Sequence, residues 1–441
     1  MEHDNAFELF TRGRNLFITG PGGTGKTTLV HRMSEYLNNE NIEHKLCAMT
    51  GCAALLLGKN VSTFHSWSGI GLGKGTVEDC IKTIKKNKFT MIRIQKTRVL
   101  FVDEISMMSK KLFDIFYNIV KYINPRLQII FTGDFFQLPP VGSSTEPDTS
   151  AFCFESEHWN EIFPPTSHIQ LTHIYRQSDS TYVNILQSIR VGTILPEHTT
   201  VLNGKIEENL DSIDLERTGG VLPPRIYPLK RQVDNYNYMR FSELTEEIEE
   251  FNYQTVTNLT TYVDSGLPLK KEIIQKCNNL SPAAQEYEFN AILGISNGKE
   301  AVKLRVGCMV MLTRNLDLDH GLCNGSQGIV VGFTERKTPI VKFKDLTIPI
   351  GYQTFQSENY PTLGVMVLPL ILSWAVTIHK IQGATLDTAI IDLGSTVFEY
   401  GQAYVGLSRV KSLEGLFLEG FNPRRIKANP KVIEFYNSRF C

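Results

Sequence analysis

Over the first third of this 441-residue chain, apolar residues fall in short unbroken runs separated by stretches with helical spacing. Leu16 to Ile18 is one such run, and it leads into a glycine-rich turn. Lys45-Leu-Cys-Ala-Met-Thr50, Val99-Leu-Phe-Val102 and Leu127-Gln-Ile-Ile-Phe131 are others. Runs this short, bounded by turn residues, predict strands buried on both faces. Between them, Thr28 to Leu37, Gly51 to Leu57 and Leu112 to Ile123 read as helices, the last stopping before Pro125. Strands alternating with helices predict an α/β fold around a parallel sheet. Ligands of such sheets bind beyond the carboxyl ends of the strands. Gly20, Asp103-Glu104 and Gly133-Asp134 all fall at such ends, so they are expected in one crevice.

Further on the texture changes. Residues 141–150 are polar and turn-rich, a surface loop, and 191–224 read as irregular. Order resumes at Arg225-Ile-Tyr-Pro-Leu229. From Val302 to about Ile350, short β-type runs alternate with turns such as Asn324-Gly325, which predicts a small antiparallel barrel. Leu372 to Ile378 and Thr388 to Leu393 return to the buried-strand style. A second α/β lobe interrupted by an inserted β module is the expected organisation.

The hydrophobic share of 42% and the charged share of 21% suit a globular protein, and no apolar run reaches the ~20 residues of a membrane span. The start, Met-Glu-His-Asp-Asn5, lacks the basic and apolar parts of a secretory leader, so an intracellular site is expected. The 8 cysteines are scattered without a Cys-x-x-Cys pair and read as reduced thiols. Net charge is −1, which by itself gives no support to a polyanion partner. The distribution is less even. Lys82, Lys85, Lys86, Lys88, Arg93, Lys96 and Arg98 crowd residues 81–98 without an acid, against acidic stretches at 207–216 and 243–250. Such a run is either a solvated face or an edge that meets a polyanion.

The chemistry starts at Gly20-Pro-Gly-Gly-Thr-Gly-Lys-Thr27. This glycine spacing between a strand and a helix turns backbone N–H groups inward around phosphate, with the helix N-terminus behind them. Gly20, Gly22, Gly23, Thr24, Gly25, Lys26, Thr27 and Thr28 are the candidate nucleotide cradle. Lys26 would reach the β and γ phosphates, and Thr27 would hold Mg²⁺. Asp103 at the end of its strand is a second candidate Mg²⁺ ligand, and Glu104 a base for the attacking water. Gln137, in Gly133-Asp-Phe-Phe-Gln-Leu-Pro-Pro140, is placed to sense the γ-phosphate or that water. Arg176 and Arg409 each suit the charge of a transferring phosphoryl group, or else a structural ion pair. Thr377, His379 and Lys380 offer donors to phosphate oxygens, and Thr63-Phe-His-Ser-Trp67 mixes groups able to stack on bases with groups that fill cores.

Taken in order, these motifs resemble those of the Pif-type DNA helicases of superfamily one, group B, relatives of RecD and Dda. Thr50-Gly-Cys-Ala-Ala54, Tyr175-Arg-Gln177, Val306-Gly-Cys-Met-Val-Met-Leu312, Gly321 to Gly328, Ser373 to Gly383 and Gln402-Ala-Tyr-Val-Gly-Leu-Ser-Arg409 complete the series, which spans about residues 14–438. The resemblance implies two RecA-like parallel-sheet P-loop lobes with a small β-barrel inserted in the second. The first lobe would be 1–180, with a small wedge at about 66–95. The second would be 181–260 and 369–441, and the barrel module 261–368. ATP and Mg²⁺ are the implied cofactors. Lys26, Thr27, Asp103, Glu104, Gln137, Arg176 and Arg409, with Gly383, would form the ATP site. Thr50, Phe64, His65, Thr377, His379 and Lys380 would contact DNA. The implied activity is 5′ to 3′ translocation on single-stranded DNA with opening of forked duplexes, by a monomeric motor without a membrane anchor, in DNA replication, repair or recombination. A DNA-stimulated NTPase that remodels complexes without unwinding is the nearest alternative. A non-motor P-loop NTPase is a more distant one, since no Asn-Lys-x-Asp element occurs. One departure stands out. The family places a glutamine just before the P-loop, whereas here the first is Gln95, and Asn5 and His3 are the polar residues that stand in its place.

Overall fold

The computed structural model describes residues 2–58, 61–70, 76–86, 88–143, 145–207, 222–263, 266–296, 301–314, 316–317, 320, 322, 324–344, 346–357 and 359–440. Gly321 and Cys323 of the expected motifs, and nearly all of the acidic stretch at 207–216, lie outside these residues. The chain divides into two compact units. One is Met1–Leu57, Val61–Glu208 and Ile381–Cys441; the other is Gly58–Asn60 and Asn209–Lys380. These limits differ from the expected lobe limits at 180 and 369.

The first unit is built on a six-stranded sheet in the order Ser62–Thr63, His44–Ala48, Val99–Asp103, Gln128–Gly133, Leu16–Thr19, His168–Gln170. All of its neighbours run parallel. Alternation along each strand divides the side chains between two cores. Phe17, Leu100, Val102, Ile129 and Phe131 join the core of Trp67, Phe113, Phe116 and Trp159. Leu16, Ile18, Val99, Phe101 and Ile130 join that of Phe10, Leu29, Val30 and Met33 on the other face. Both faces are therefore covered, which is why the strands read as unbroken apolar runs. Thr19 pairs with Gly133 and Ala48 with Asp103, so the carboxyl ends of these strands line up along one edge.

Local chemistry sets the helix limits. Helix Lys110–Ile123 starts where the Ser109 hydroxyl accepts from Leu112 N, and it stops at Asn124, ahead of Pro125. Helix Ser180–Arg190 is capped by Asp179, which accepts from Thr181 N and Tyr182 N. Strands Ala389–Leu393 and Leu416–Phe421 pair in parallel within the same unit. Residues 191–224 are not irregular throughout, because Pro196–Glu207 is a helix. Its Thr-Thr-Val and Asn-Gly steps are poor helix formers, and burial of Leu202 supplies what local propensity does not.

In the second unit, Arg225–Tyr227 pairs in parallel with Ala375–Thr377. A five-stranded antiparallel sheet runs in the order Thr347–Pro349, Pro339–Lys342, Gln327–Phe333, Met309–Leu312, Leu370–Leu372. Gly364–Val367 forms a second antiparallel sheet with Gln353–Gln356 and Gln254–Val256. The runs expected at Cys308, Gly328 and Ile340 are thus strands. No pairing among the described strands joins the two edges of the five-stranded sheet into a closed barrel. Among the described residues, no helix is long and apolar enough to cross a membrane.

Candidate functional site

The loop after Leu16–Thr19 is shaped by its backbone. Gly25 leads into helix Lys26–Asn39 in the left-handed region, at φ +81°. Gly23, at φ +84°, has no room for a side chain, since a Cβ there would fall 2.5 Å from the Cβ of Arg176. The Lys26 ammonium donates to Gly20 O at 2.6 Å and Pro21 O at 2.9 Å, and the Thr24 hydroxyl donates to Pro21 O at 3.0 Å. Thr27 is half-buried and Thr28 exposed on the first turn of the helix. Burial pushes the Lys26 pKa down, while Asp134, Glu104 and Asp103 pull it back up. Lys26 thus sits at the sheet edge, held by loop carbonyls with carboxylates of the site nearby.

Asp103 ends strand Val99–Asp103. Its Oδ1 accepts from the Thr132 hydroxyl at 2.6 Å and from Glu104 N at 2.8 Å. Glu104 follows at φ +56°, a left-handed conformation that a non-glycine residue adopts at a cost of about 1–3 kcal/mol. This turn aims the Glu104 carboxylate into the site. Burial, and then the neighbouring Asp103, raise its pKa, against Arg409, Lys26 and a hydrogen bond from Gln382. Gln382 Nε2 donates to Glu104 Oε2 at 3.1 Å. Gly383, next along, sits at φ +84°. Gln137 is 4% exposed, and its side-chain oxygen has no hydrogen-bond partner among the described residues. A buried acceptor without a partner, in a loop that starts at the same sheet edge, suits a donor such as a bound water.

Both arginines reach the phosphate loop. A Cβ placed on Gly22 would lie 3.4 Å from Arg409 Nη2 and 3.5 Å from Arg176 Nη1. Arg409 Nε donates to Val405 O at 3.1 Å and its Nη2 to Ser408 Oγ at 2.8 Å. Arg176 Nη1 donates to Ser408 O at 3.0 Å. Among the described residues neither is in an ion pair; both are held by oxygens of Val405 and Ser408. Burial, and then the charge of Arg409, bring Arg176 down to about 9; burial also lowers Arg409. Two cations brought this close, with carbonyl and hydroxyl partners only, leave positive charge available to an anion.

The strand-contact candidates divide. Thr50 caps helix Gly51–Leu56, its hydroxyl accepting from Ala53 N. Phe64 is fully buried, with its ring 5.3 Å from that of Phe116, so its expected contact with DNA is corrected: it is a core residue with no face to offer a base. The adjacent His65 is half-buried, and burial lowers its pKa. Thr377 Oγ1 accepts from Lys380 N at 3.2 Å, His379 is half-buried and Lys380 is exposed, all within the second unit. In the basic run, Arg93 is turned inward to Trp67 O at 2.9 Å and Ser66 O at 2.8 Å, while Lys82, Lys85, Lys88 and Lys96 are exposed.

Several residues at this edge escaped the sequence reading. Tyr404 and Gln382 sit inside recognised motifs, yet a tyrosine or glutamine among apolar residues carries no signal of its own. The Tyr404 hydroxyl accepts from Gly22 N at 2.8 Å. Arg190 forms a buried two-pronged pair with Asp134, Nε to Oδ2 and Nη2 to Oδ1, both at 2.8 Å. The Tyr436 hydroxyl bonds the Thr19 hydroxyl, Phe135 N and Asp134 Oδ1. His3 Nε2 reaches Thr24 O at 3.1 Å, which sets it against the phosphate loop, whereas Asn5 is exposed.

A parallel sheet carrying a phosphate loop, an acid pair and two arginines along its carboxyl edge defines a P-loop NTPase fold of RecA-like type. The profile of the PIF1-like helicase family matches residues 5–200, and that of the DNA helicase Pif1 2B domain matches residues 290–333. The chain is 31% identical to the ATP-dependent DNA helicase Pif1 of Bdellovibrio bacteriovorus over 99% of this chain and 91% of that protein. It is 33% identical to the ATP-dependent DNA helicase PIF1 of Xenopus laevis, covering 96% of this chain and 62% of that protein. The crystal structure of the Pif1 helicase from Candida albicans superposes with a TM-score of 0.76 at 29% identity, over 99% of this chain and 98% of that one. The chain belongs to the PIF1-like helicase family. It spans about three fifths of the length of the vertebrate relatives it matches, 62% of the Xenopus laevis protein and 61% of the Homo sapiens one.

Proposed function

We propose that this chain is an ATP-driven DNA helicase that moves 5′ to 3′ along single-stranded DNA and opens forked duplexes as a single copy. The observation that carries the reading is the meeting of Lys26, Glu104, Arg176 and Arg409 at one sheet edge. The Glu104 carboxylate takes a proton from water as the water oxygen bonds the γ-phosphorus. The bond to the bridging oxygen breaks, leaving ADP and phosphate. Gln137 orients the water, and Lys26, Arg176 and Arg409 bear the charge that spreads over the transferring group. Magnesium, when bound, offsets phosphate charge. The Thr27 hydroxyl and the Asp103 carboxylate are hard oxygen donors that suit it, Asp103 being oriented by Thr132.

Thr50 and His65 in one unit and Thr377, His379 and Lys380 in the other are the proposed strand contacts. Two RecA-like lobes, 1–180 and 181–260 with 369–441, and a barrel module at 261–368 are the proposed organisation; Gly383 gives its turn the freedom to approach the site. The family membership supports this reading. A forked duplex labelled on one tail tests it. Unwinding that needs ATP, magnesium and a 5′ single-stranded tail is expected. DNA-stimulated hydrolysis without strand separation on either fork would replace the helicase by a remodelling NTPase.

A further inference from the structure

Glu104 and Gln382 lie far apart in sequence, yet the Gln382 amide donates to Glu104 Oε2 at 3.1 Å. Gln382 is 4% exposed, so water does not compete strongly for this bond. Glu104 stands on a left-handed turn at the strand end, with Asp103 beside it. A carboxylate there has two oxygens and rotatable bonds, and nothing in its own backbone selects one orientation. An amide donor occupies one oxygen and leaves the other to accept a proton. A carboxamide does not ionise near neutral pH, so Gln382 acts through geometry.

The place of Gln382 in the chain adds a second element. It stands two residues beyond Lys380, in a segment tied by short turns. Lys380 N bonds the Thr377 hydroxyl at 3.2 Å, Ala384 N bonds Ile381 O at 3.0 Å, and Gly383 takes φ +84°. The turn at Ile381–Ala384 fixes the backbone that carries Gln382 and holds its amide toward Glu104.

We propose that Gln382 is a positioning residue for hydrolysis: it orients the Glu104 carboxylate by holding one of its oxygens. The inference rests on the role given to Glu104 under the proposed function.

The test is a double-mutant cycle read by steady-state ATPase kinetics of the full chain, with and without saturating single-stranded DNA. Gln382→Met keeps the volume of the side chain and removes the donor. It should lower kcat by about 10- to 100-fold, as loosening a catalytic group does, and leave KM for ATP within about two-fold. The loss should appear both with and without DNA. Placed in a Glu104→Gln background, Gln382→Met should add less than about a two-fold further loss, because both changes act on one step. Full activity of Gln382→Met would overturn the inference by showing that the glutamine only fills space. A loss that multiplies with that of Glu104→Gln would also overturn it, since the residue would then act elsewhere. If Glu104→Gln itself turns over normally, the underlying reading fails, and that result is distinct from each of the others.

Discussion

Glu104 gathers several costs at one residue. It occupies a left-handed backbone region, it is half-buried, and it stands next to another carboxylate. Stability alone would favour a glycine or asparagine here, so the strain points to a task. Lys26 and Arg409 make the carboxylate tolerable as an anion, and Gln382 fixes one of its oxygens. Replacing Glu104 by Gln keeps the shape and removes the proton acceptor. Turnover should drop by about 10²- to 10⁴-fold, while nucleotide affinity and the thermal midpoint stay close to those of the parent protein. Single-turnover hydrolysis alongside equilibrium nucleotide binding measures both. A matched loss of affinity and rate would make Glu104 a binding residue instead.

Among the elements, those legible in the sequence were the ones whose own residues determine them. Strands Leu16–Thr19, Val99–Asp103 and Gln128–Gly133 are unbroken apolar runs because both of their faces are covered. Arg190 and Tyr436 could not be read in this way. They become site residues only when helices Ser180–Arg190 and Pro430–Phe440 close on Asp134, and nothing near them in the chain announces that contact. Phe64 fails in the opposite sense: an aromatic beside histidine and serine suits a stacking surface, yet the fold turns it into the core. The Arg190–Asp134 pair has an energetic consequence. Arg190→Met strands a buried carboxylate and should cost roughly 3–5 kcal/mol of unfolding free energy, whereas adding Asp134→Asn should recover part of that loss; urea denaturation of both variants checks this. The edge strand His168–Gln170 carries a second consequence. Burial, then Arg439, bring His168 from 6.5 to about 4, so the folded protein holds this ring neutral. The unfolded chain binds the extra proton first. Stability from this group is complete above about 6.5 and drains away as pH falls toward about 4. Melting temperatures across that window should decline less steeply in His168→Phe than in the parent.

For the molecule as a whole, a net charge of −1 means that grip on a polyanion comes from where cations stand and not from their number. The dense basic run is weaker than it looks, because Arg93 is spent on Trp67 O and Ser66 O. Arg176, Arg190 and Arg409 are taken up along the sheet edge of the first unit. Lys380 is different, being exposed at the end of the turn that follows Ala375–Thr377. A lysine in that setting touches phosphate through charge alone and releases counterions when it does so. Lys380→Ala should therefore weaken single-stranded DNA binding for all sequences alike and cut the magnitude of the log K against log salt slope by about 0.7. Turnover at saturating DNA should persist, because the nucleotide site keeps every group assigned to it. Fluorescence anisotropy across a salt series, paired with ATPase assays on the same preparation, separates the terms. An unchanged slope would show that the Lys380 ammonium displaces no counterion, and the strand would then have to be held by groups other than this lysine.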